Sequence, residues 1–296
     1  MPDNAPNTWP QLDKPQLRAS FERAAETYDA VAVLQREVGQ RMLERLELIR
    51  IRPDVLLDVG AGTGGLTAQL GKRYKKAHVV ALDLAPAMLR QACKHKGWFS
   101  KQNFVCGDAE CLPLAAHSVD MIFSNLTLQW CNMLDVAFAE FQRVLKPGGL
   151  LLFSTFGPDT LKELRASWRA ADAHTHVNAF IDMHDIGDAL MRAGFADPVM
   201  DVERLTVTYP DVFKLMGDLK TLGAHNATAG RAHGLTGKGR VKKMQEAYEL
   251  LRRDGLLPAS YEVVYGHAWG RALSPGVSAH DGVATFPVNR IRRRTP

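Results

Sequence analysis

The chain has 296 residues, 46% hydrophobic and 23% charged, the balance of an ordinary globular protein. That length suits one large α/β domain, or one domain with a sizeable insertion, and no apolar stretch reaches the roughly 20 residues of a membrane span. The net charge of +5 sits at the end: Arg290, Arg292, Arg293 and Arg294 carry four of those charges, leaving +1, so nothing asks for nucleic acid or a membrane as partner.

The opening MPDNAPNTWPQLDKPQ is polar and proline-rich, unlike a signal peptide, and residues 1–16 are expected to form a flexible tail. Cys93, Cys106, Cys111 and Cys131 form no C-x-x-C pair and read as reduced thiols of a cytoplasmic protein. Residues 17–50 read as one helical cap, with Leu34, Val38, Met42, Leu43, Leu46 and Ile49 at helical spacing until Pro53 stops it. A regular alternation then begins. Strands are expected at Val55–Val59, His78–Leu82, Phe104–Val105, Val119–Ser124 and Leu150–Phe156. Helices are expected at Gly64–Arg73, Pro86–His95 and Leu134–Leu145, the last closed by K-P-G-G. Strands alternating with helices imply a mainly parallel sheet with helices on both faces.

Beyond Phe156 the rhythm changes. Residues 159–172 and 184–193 read as helices, and Val199–Val207 and Tyr261–His267 as two late strands. Residues 210–258 between those strands are too long for a hairpin loop and read as a helical insertion or lid, with helices near Val212–Leu222 and Lys238–Arg253. Residues 271–296, with three prolines and no apolar periodicity, are expected to be a disordered basic tail.

The chemistry starts at "LLDVGAGTGG", Leu56–Gly65. Gly60, Gly62 and Gly64 read G-x-G-x-G, while Gly60, Gly62 and Gly65 also satisfy the dinucleotide spacing G-x-G-x-x-G, so the loop by itself leaves the ligand open. Three features narrow it. Asp83 ends "VVALD", where a carboxylate can accept from both ribose hydroxyls. Asp108 and Ala109 in "VCGDAECLP" follow the third strand, where an acid can take an adenine amino group and a backbone N–H can meet the ring. "LKPGG" (Leu145–Gly149) is the turn before the fifth strand.

In this order these elements resemble class I S-adenosyl-L-methionine methyltransferases over about residues 20–156. The resemblance implies a Rossmann-like α/β fold with a seven-stranded, mainly parallel sheet. It implies that Tyr28, Gln35, Asp58, Gly60, Ala61, Gly62, Gly64, Asp83, Leu84, Met88, Asp108, Ala109 and Asn125 hold the methyl donor.

A closer resemblance runs from Ser20 to Trp269. "SFERAAETYDAVAVLQREV", "SNLTLQWC", "TLKELRASW", "HVNAFIDMHDIGDALMRAGF", "DLKTLGAHNATAGR" and "LPASYEVVYGHAW" are similar to the malonyl-acyl-carrier-protein O-methyltransferases of biotin synthesis. That family methylates the free malonyl carboxylate and so disguises the chain for elongation to a pimeloyl unit. The implied domain is 17–270, acting as a cytoplasmic monomer on malonyl-acyl carrier protein or malonyl-CoA. Tyr28 and Asn125 would lie beside the transferred methyl, and Gln129 and Trp130 near them. Because a guanidinium offers a carboxylate a bidentate fork, Arg165 and Arg231 are the candidate acceptor clamps. "KGRVKK" (Lys238–Lys243) and Lys220 are candidates for the rim that meets an acidic carrier. No metal is expected: His174, His176 and His184 lack a ligand spacing.

Three other readings stay open at this point, one of them a scaffold that binds the cofactor without catalysing a transfer. Quinone-type methyltransferases share the cofactor half. Assembly factors of respiratory complex I, some of which modify a protein partner, share "DTL-ELR", "RAGF" and "LPA-Y".

Overall fold

Asp13 caps the first helix: its carboxylate accepts the Gln16 backbone N–H at 3.0 Å, and Pro15 occupies the first turn. The structure, a computed structural model, describes residues 11–97, 100–224, 237–271, 278–280 and 283–285. The cap consists of α1 (Lys14–Ala24), α2 (Tyr28–Val31) and α3 (Val33–Arg45). The single helical region expected over 17–50 is therefore broken twice. One break is at residues 25–27 and the other at Ala32, whose ψ of 43° leaves the helical range. Neither break carries a glycine or proline, so nothing interrupts the apolar period there. The first helix also starts inside the expected tail of 1–16.

From Val55 the alternation runs β1 (Val55–Val59), α4 (Gly65–Arg73), β2 (His78–Asp83), α5 (Pro86–Lys94), β3 (Gln102–Cys106) and β4 (Val119–Asn125). It continues with α6 (Leu134–Val144), β5 (Leu145–Phe156), α7 (Lys162–Ala171), α8 (Met183–Arg192) and β6 (Ala196–Tyr209). The last elements of the sheet region are α9 (Val212–Thr221), α10 (Lys238–Glu249) and β7 (Leu257–Trp269). A separate ribbon pairs β8 (Ser278–His280) with β9 (Val283–Thr285) inside the expected tail; the remainder of that tail after Arg271 lies outside the described residues.

The sheet has seven strands in the order β3-β2-β1-β4-β5-β7-β6, and β7 alone runs against the direction of the other six. The order reverses between β1 and β4, which opens a crevice at the carboxyl ends of those strands. Leu145 pairs with Val119 and Leu150 with Met121, so K-P-G-G loops out of β5 rather than preceding it. Gly148, at φ 73°, donates its N–H to the Gly270 carbonyl at 3.0 Å and ties this loop to the end of β7.

Leu56 packs into one core and Leu57 into the other, both fully buried. A strand covered on both faces reads as an apolar run, which is why β1, β2 and β4 stand out in the sequence. The first core includes Met42, Leu70, Trp168, Met244 and Tyr248; the second includes Phe138, Phe141, Ile186 and Phe195. Met244 and Tyr248 of α10 are completely buried, and the Tyr248 hydroxyl donates to the Pro258 carbonyl at 2.8 Å. The insertion is thus partly core. Its second helix packs on α7, while α9 borders the site.

Candidate active site

The loop after β1 follows the alternating spacing. Gly60, Gly62 and Gly64 have φ of 73°, 54° and 83°, whereas Gly65 is already helical. A side chain on Gly64 would strike Ala92 of α5, while one on Gly62 would meet nothing and project into the open cleft.

Asp83, at the end of β2, holds this loop in place. Its Oδ2 accepts the Gly62 N–H and its Oδ1 the Ala85 N–H, each at 2.8 Å. Each oxygen keeps a lone pair for a ribose hydroxyl. Burial pushes its pKa up to about 6 against those two bonds. Asp58, buried on β1, accepts the Thr67 hydroxyl at 2.5 Å. Burial pushes it up to about 7 despite that bond, and the Asp83 charge adds to the rise.

Three hollows meet here. One of about 100 Å³ is lined by Asp83, Leu84, Met88, Asp108 and Ala109, and by Lys14 from α1. A second, of about 580 Å³, is lined by Asp58, Gly60, Ala61, Gly62 and Gln40. Tyr28 and Asn125 line both, so these two form one cleft. A third hollow, of about 380 Å³, has walls of Leu34, Phe156, Leu161, Leu164, Val177, Leu219 and Tyr261. It shares Gln35 with the second hollow and Trp130 with the first. Asn125 donates to the Gln35 carbonyl at 3.0 Å and accepts the Ser154 hydroxyl at 2.9 Å. The side-chain oxygen of Gln35 is buried without a hydrogen-bond partner among the described residues, an acceptor left over for a ligand.

The cap closes over this cleft at both ends. Thr63 of the glycine loop donates to Asp29 at 2.7 Å, and Lys14 donates to both oxygens of Asp108 at 2.9 and 3.1 Å.

Of the residues expected from the sequence, Tyr28, Gln35, Asp58, Gly60, Ala61, Gly62, Asp83, Leu84, Met88, Asp108, Ala109 and Asn125 all line these hollows, and Gly64 supports the loop from behind. Arg165 stands apart. Its guanidinium donates to the Pro158 carbonyl at 2.8 Å and the Thr160 carbonyl at 2.9 Å, and burial with the nearby Arg169 charge lowers its pKa. Arg231 lies outside the described residues. His176 borders the third hollow, stacked 3.8 Å from Trp168 and bonded to Asp172 at 2.9 Å. His184 is exposed on Asp182. Among the described residues no group of three or more His, Cys, Asp or Glu side chains gathers as a metal site would. Lys14, Asp29, Thr63 and Glu110 are absent from the sequence-based site. The signal for Lys14 was available, since Asp13-Lys14-Pro15 is a helix start in which a cap residue is followed by proline.

A methyltransferase-domain family matches residues 57–153. The structure resembles the YcgJ protein of Bacillus subtilis (TM-score 0.55, 18% identity, 78% of this chain and 98% of that one). It also resembles Haemonchus contortus phosphoethanolamine N-methyltransferase 2 in complex with S-adenosyl-L-methionine (TM-score 0.53, 17% identity, 86% and 60%). The reversal of strand order, the glycine loop and the carboxylates of Asp58 in β1 and Asp83 at the end of β2 define an S-adenosylmethionine-dependent methyltransferase. Among curated relatives, the malonyl-[acyl-carrier protein] O-methyltransferase of Methylovorus sp. is 56% identical over 87% of this chain and 89% of its own. That of Gallionella capsiferriformans is 56% identical over 92% and 95%. The chain belongs to the malonyl-[acyl-carrier protein] O-methyltransferase family.

Proposed function

We propose that the chain methylates the free carboxylate of a malonyl group held on acyl carrier protein, giving the methyl ester that starts pimeloyl and biotin synthesis. The third hollow carries this reading: it is mostly apolar and borders the cofactor cleft at Gln35. S-adenosylmethionine supplies an electrophilic methyl on a positively charged sulfur. A malonyl carboxylate, with a pKa near 4 like other carboxyls, is already an anion at neutral pH and needs no general base. Its charge and the sulfonium charge cancel as the oxygen–carbon bond forms and the carbon–sulfur bond breaks. Walls of leucine, phenylalanine and valine strip water from the carboxylate and favour that cancellation.

Tyr28, Gln35 and Asn125 stand where the hollows meet and hold the reacting groups in line. Arg165 acts through the loop it braces, since Thr160 and Leu161 line the acceptor hollow. Lys220 on α9 and the exposed lysines of "KGRVKK" on α10 suit the surface of an acidic carrier. The chain works in this reading as a cytoplasmic monomer.

Filling the acceptor hollow tests the assignment. A Leu219→Trp protein should bind S-adenosylmethionine as the wild type does and lose methyl transfer to malonyl-acyl carrier protein. Wild-type turnover in that variant, folded and with the tryptophan in place, would put the acceptor elsewhere.

A further inference from the structure

We propose that Lys14 is a positioning residue for the adenine of the cofactor: its ammonium fixes the Asp108 carboxylate so that one lone pair is left for the adenine amino group. The inference rests on reading Asp108 as the acceptor of that amino group.

Lys14 belongs to the first turn of α1, whose Leu17 and Phe21 give the hollow apolar wall, and it brings a charge to the hollow that Asp83 and Asp108 line. Its Nζ lies 2.9 and 3.1 Å from the two oxygens of Asp108 and 2.5 Å from Glu110. Asp108 Oδ1 also accepts the Glu110 backbone N–H at 3.0 Å. A carboxylate offers about four lone-pair sites. Lys14 takes one on each oxygen and the Glu110 amide a second on Oδ1, so the single remaining site is on Oδ2. One N–H of an amino group fills it. Cys131 lines the same hollow and stays a neutral thiol, because burial pushes its pKa up to about 12. The ammonium therefore faces two carboxylates that would otherwise repel each other and turn towards water.

The position of α1 is itself fixed. The Leu12 N–H donates to the Asn132 side chain at 2.6 Å, and that amide returns a bond to the Leu12 carbonyl at 3.2 Å. Lys14 is thus delivered to Asp108 by a segment pinned to Asn132, the neighbour of Cys131 in the hollow wall.

Calorimetry on the full chain with S-adenosylhomocysteine and S-inosylhomocysteine tests this. The inosyl compound carries a carbonyl in place of the amino group. The wild type should prefer the adenosyl compound by about tenfold or more, the value of a hydrogen bond to a charged group. Lys14→Met should bring the two affinities close together, as should Asp108→Ala, while Lys14→Arg should keep most of the preference. A helix that merely docks less well would weaken both compounds equally and leave the ratio intact. If Lys14→Met keeps the wild-type ratio while Asp108→Ala loses it, the role of Lys14 is wrong and that of Asp108 stands. If Asp108→Ala keeps the ratio, the adenine reading fails and the role of Lys14 fails with it.

Discussion

Asp83 supports the glycine loop and presents its remaining lone pairs to the cleft with one carboxylate. If Asp83 holds the ribose as proposed, replacing it with Ala removes charge-assisted bonds to the cofactor and should cost about 1.5–3 kcal/mol of binding. The S-adenosylmethionine affinity measured by calorimetry should fall by at least about tenfold, and an unchanged affinity would remove Asp83 from the ribose. Asp83 and Asp58 also make binding depend on pH. Burial lifts their pKa values to about 6 and about 7, which leaves part of each carboxyl protonated just below neutrality. A cationic ligand favours the ionised forms, so affinity should rise through this window and binding there should release protons. Titrations in buffers of different ionisation enthalpy read that release, and a flat affinity across the window would contradict it. The linkage to stability has the opposite sign. The folded chain holds these protons to higher pH than the unfolded chain, where Asp titrates near 3.9. The contribution is full below that value and is lost as pH rises through about 6 and 7. Asp58→Asn should flatten the fall in melting temperature over this range.

At the scale of elements, the central strands β1, β4 and β5 are the most legible in the sequence because burial on both faces makes them apolar runs. The cap was less so. Its breaks at residues 25–27 and Ala32 carry no breaker residue, yet they bring Tyr28 and Asp29 over the glycine loop. The insertion departs in part from a lid: Met244 and Tyr248 of Lys238–Glu249 are core residues, and an apolar stripe at helical spacing looks the same whether it covers a core or a site. Its burial makes a prediction. Tyr248→Phe loses one hydrogen bond to Pro258 and should cost about 1 kcal/mol. Tyr248→Ala leaves a cavity beside Met244 and Leu257 and should cost about 3–5 kcal/mol, as large aromatic truncations do. Denaturant unfolding checks both; equal, negligible losses would mean that α10 is peripheral. Deleting 210–258 should for the same reason unfold the chain rather than yield a lidless methyltransferase, as circular dichroism would show.

For the whole molecule, the cofactor half could be read from residue order because each element sits directly after a strand at the crevice. The acceptor half could not. The third hollow is assembled from α3, β6, α7, α9 and β7, and no local spacing records that meeting. Arg165 illustrates the limit: its charge and place in α7 suggested a clamp, while its guanidinium faces two carbonyls of its own loop. The central claim is that a malonyl carboxylate enters this hollow and leaves as a methyl ester. Intact-mass spectrometry of carrier proteins incubated with the chain and S-adenosylmethionine tests it most directly. Malonyl-acyl carrier protein should gain the mass of one methyl ester, and acetyl-acyl carrier protein, which has no free carboxylate, should gain nothing. An unchanged malonyl carrier in the presence of chain that binds S-adenosylmethionine, or equal gains on both carriers, would contradict it.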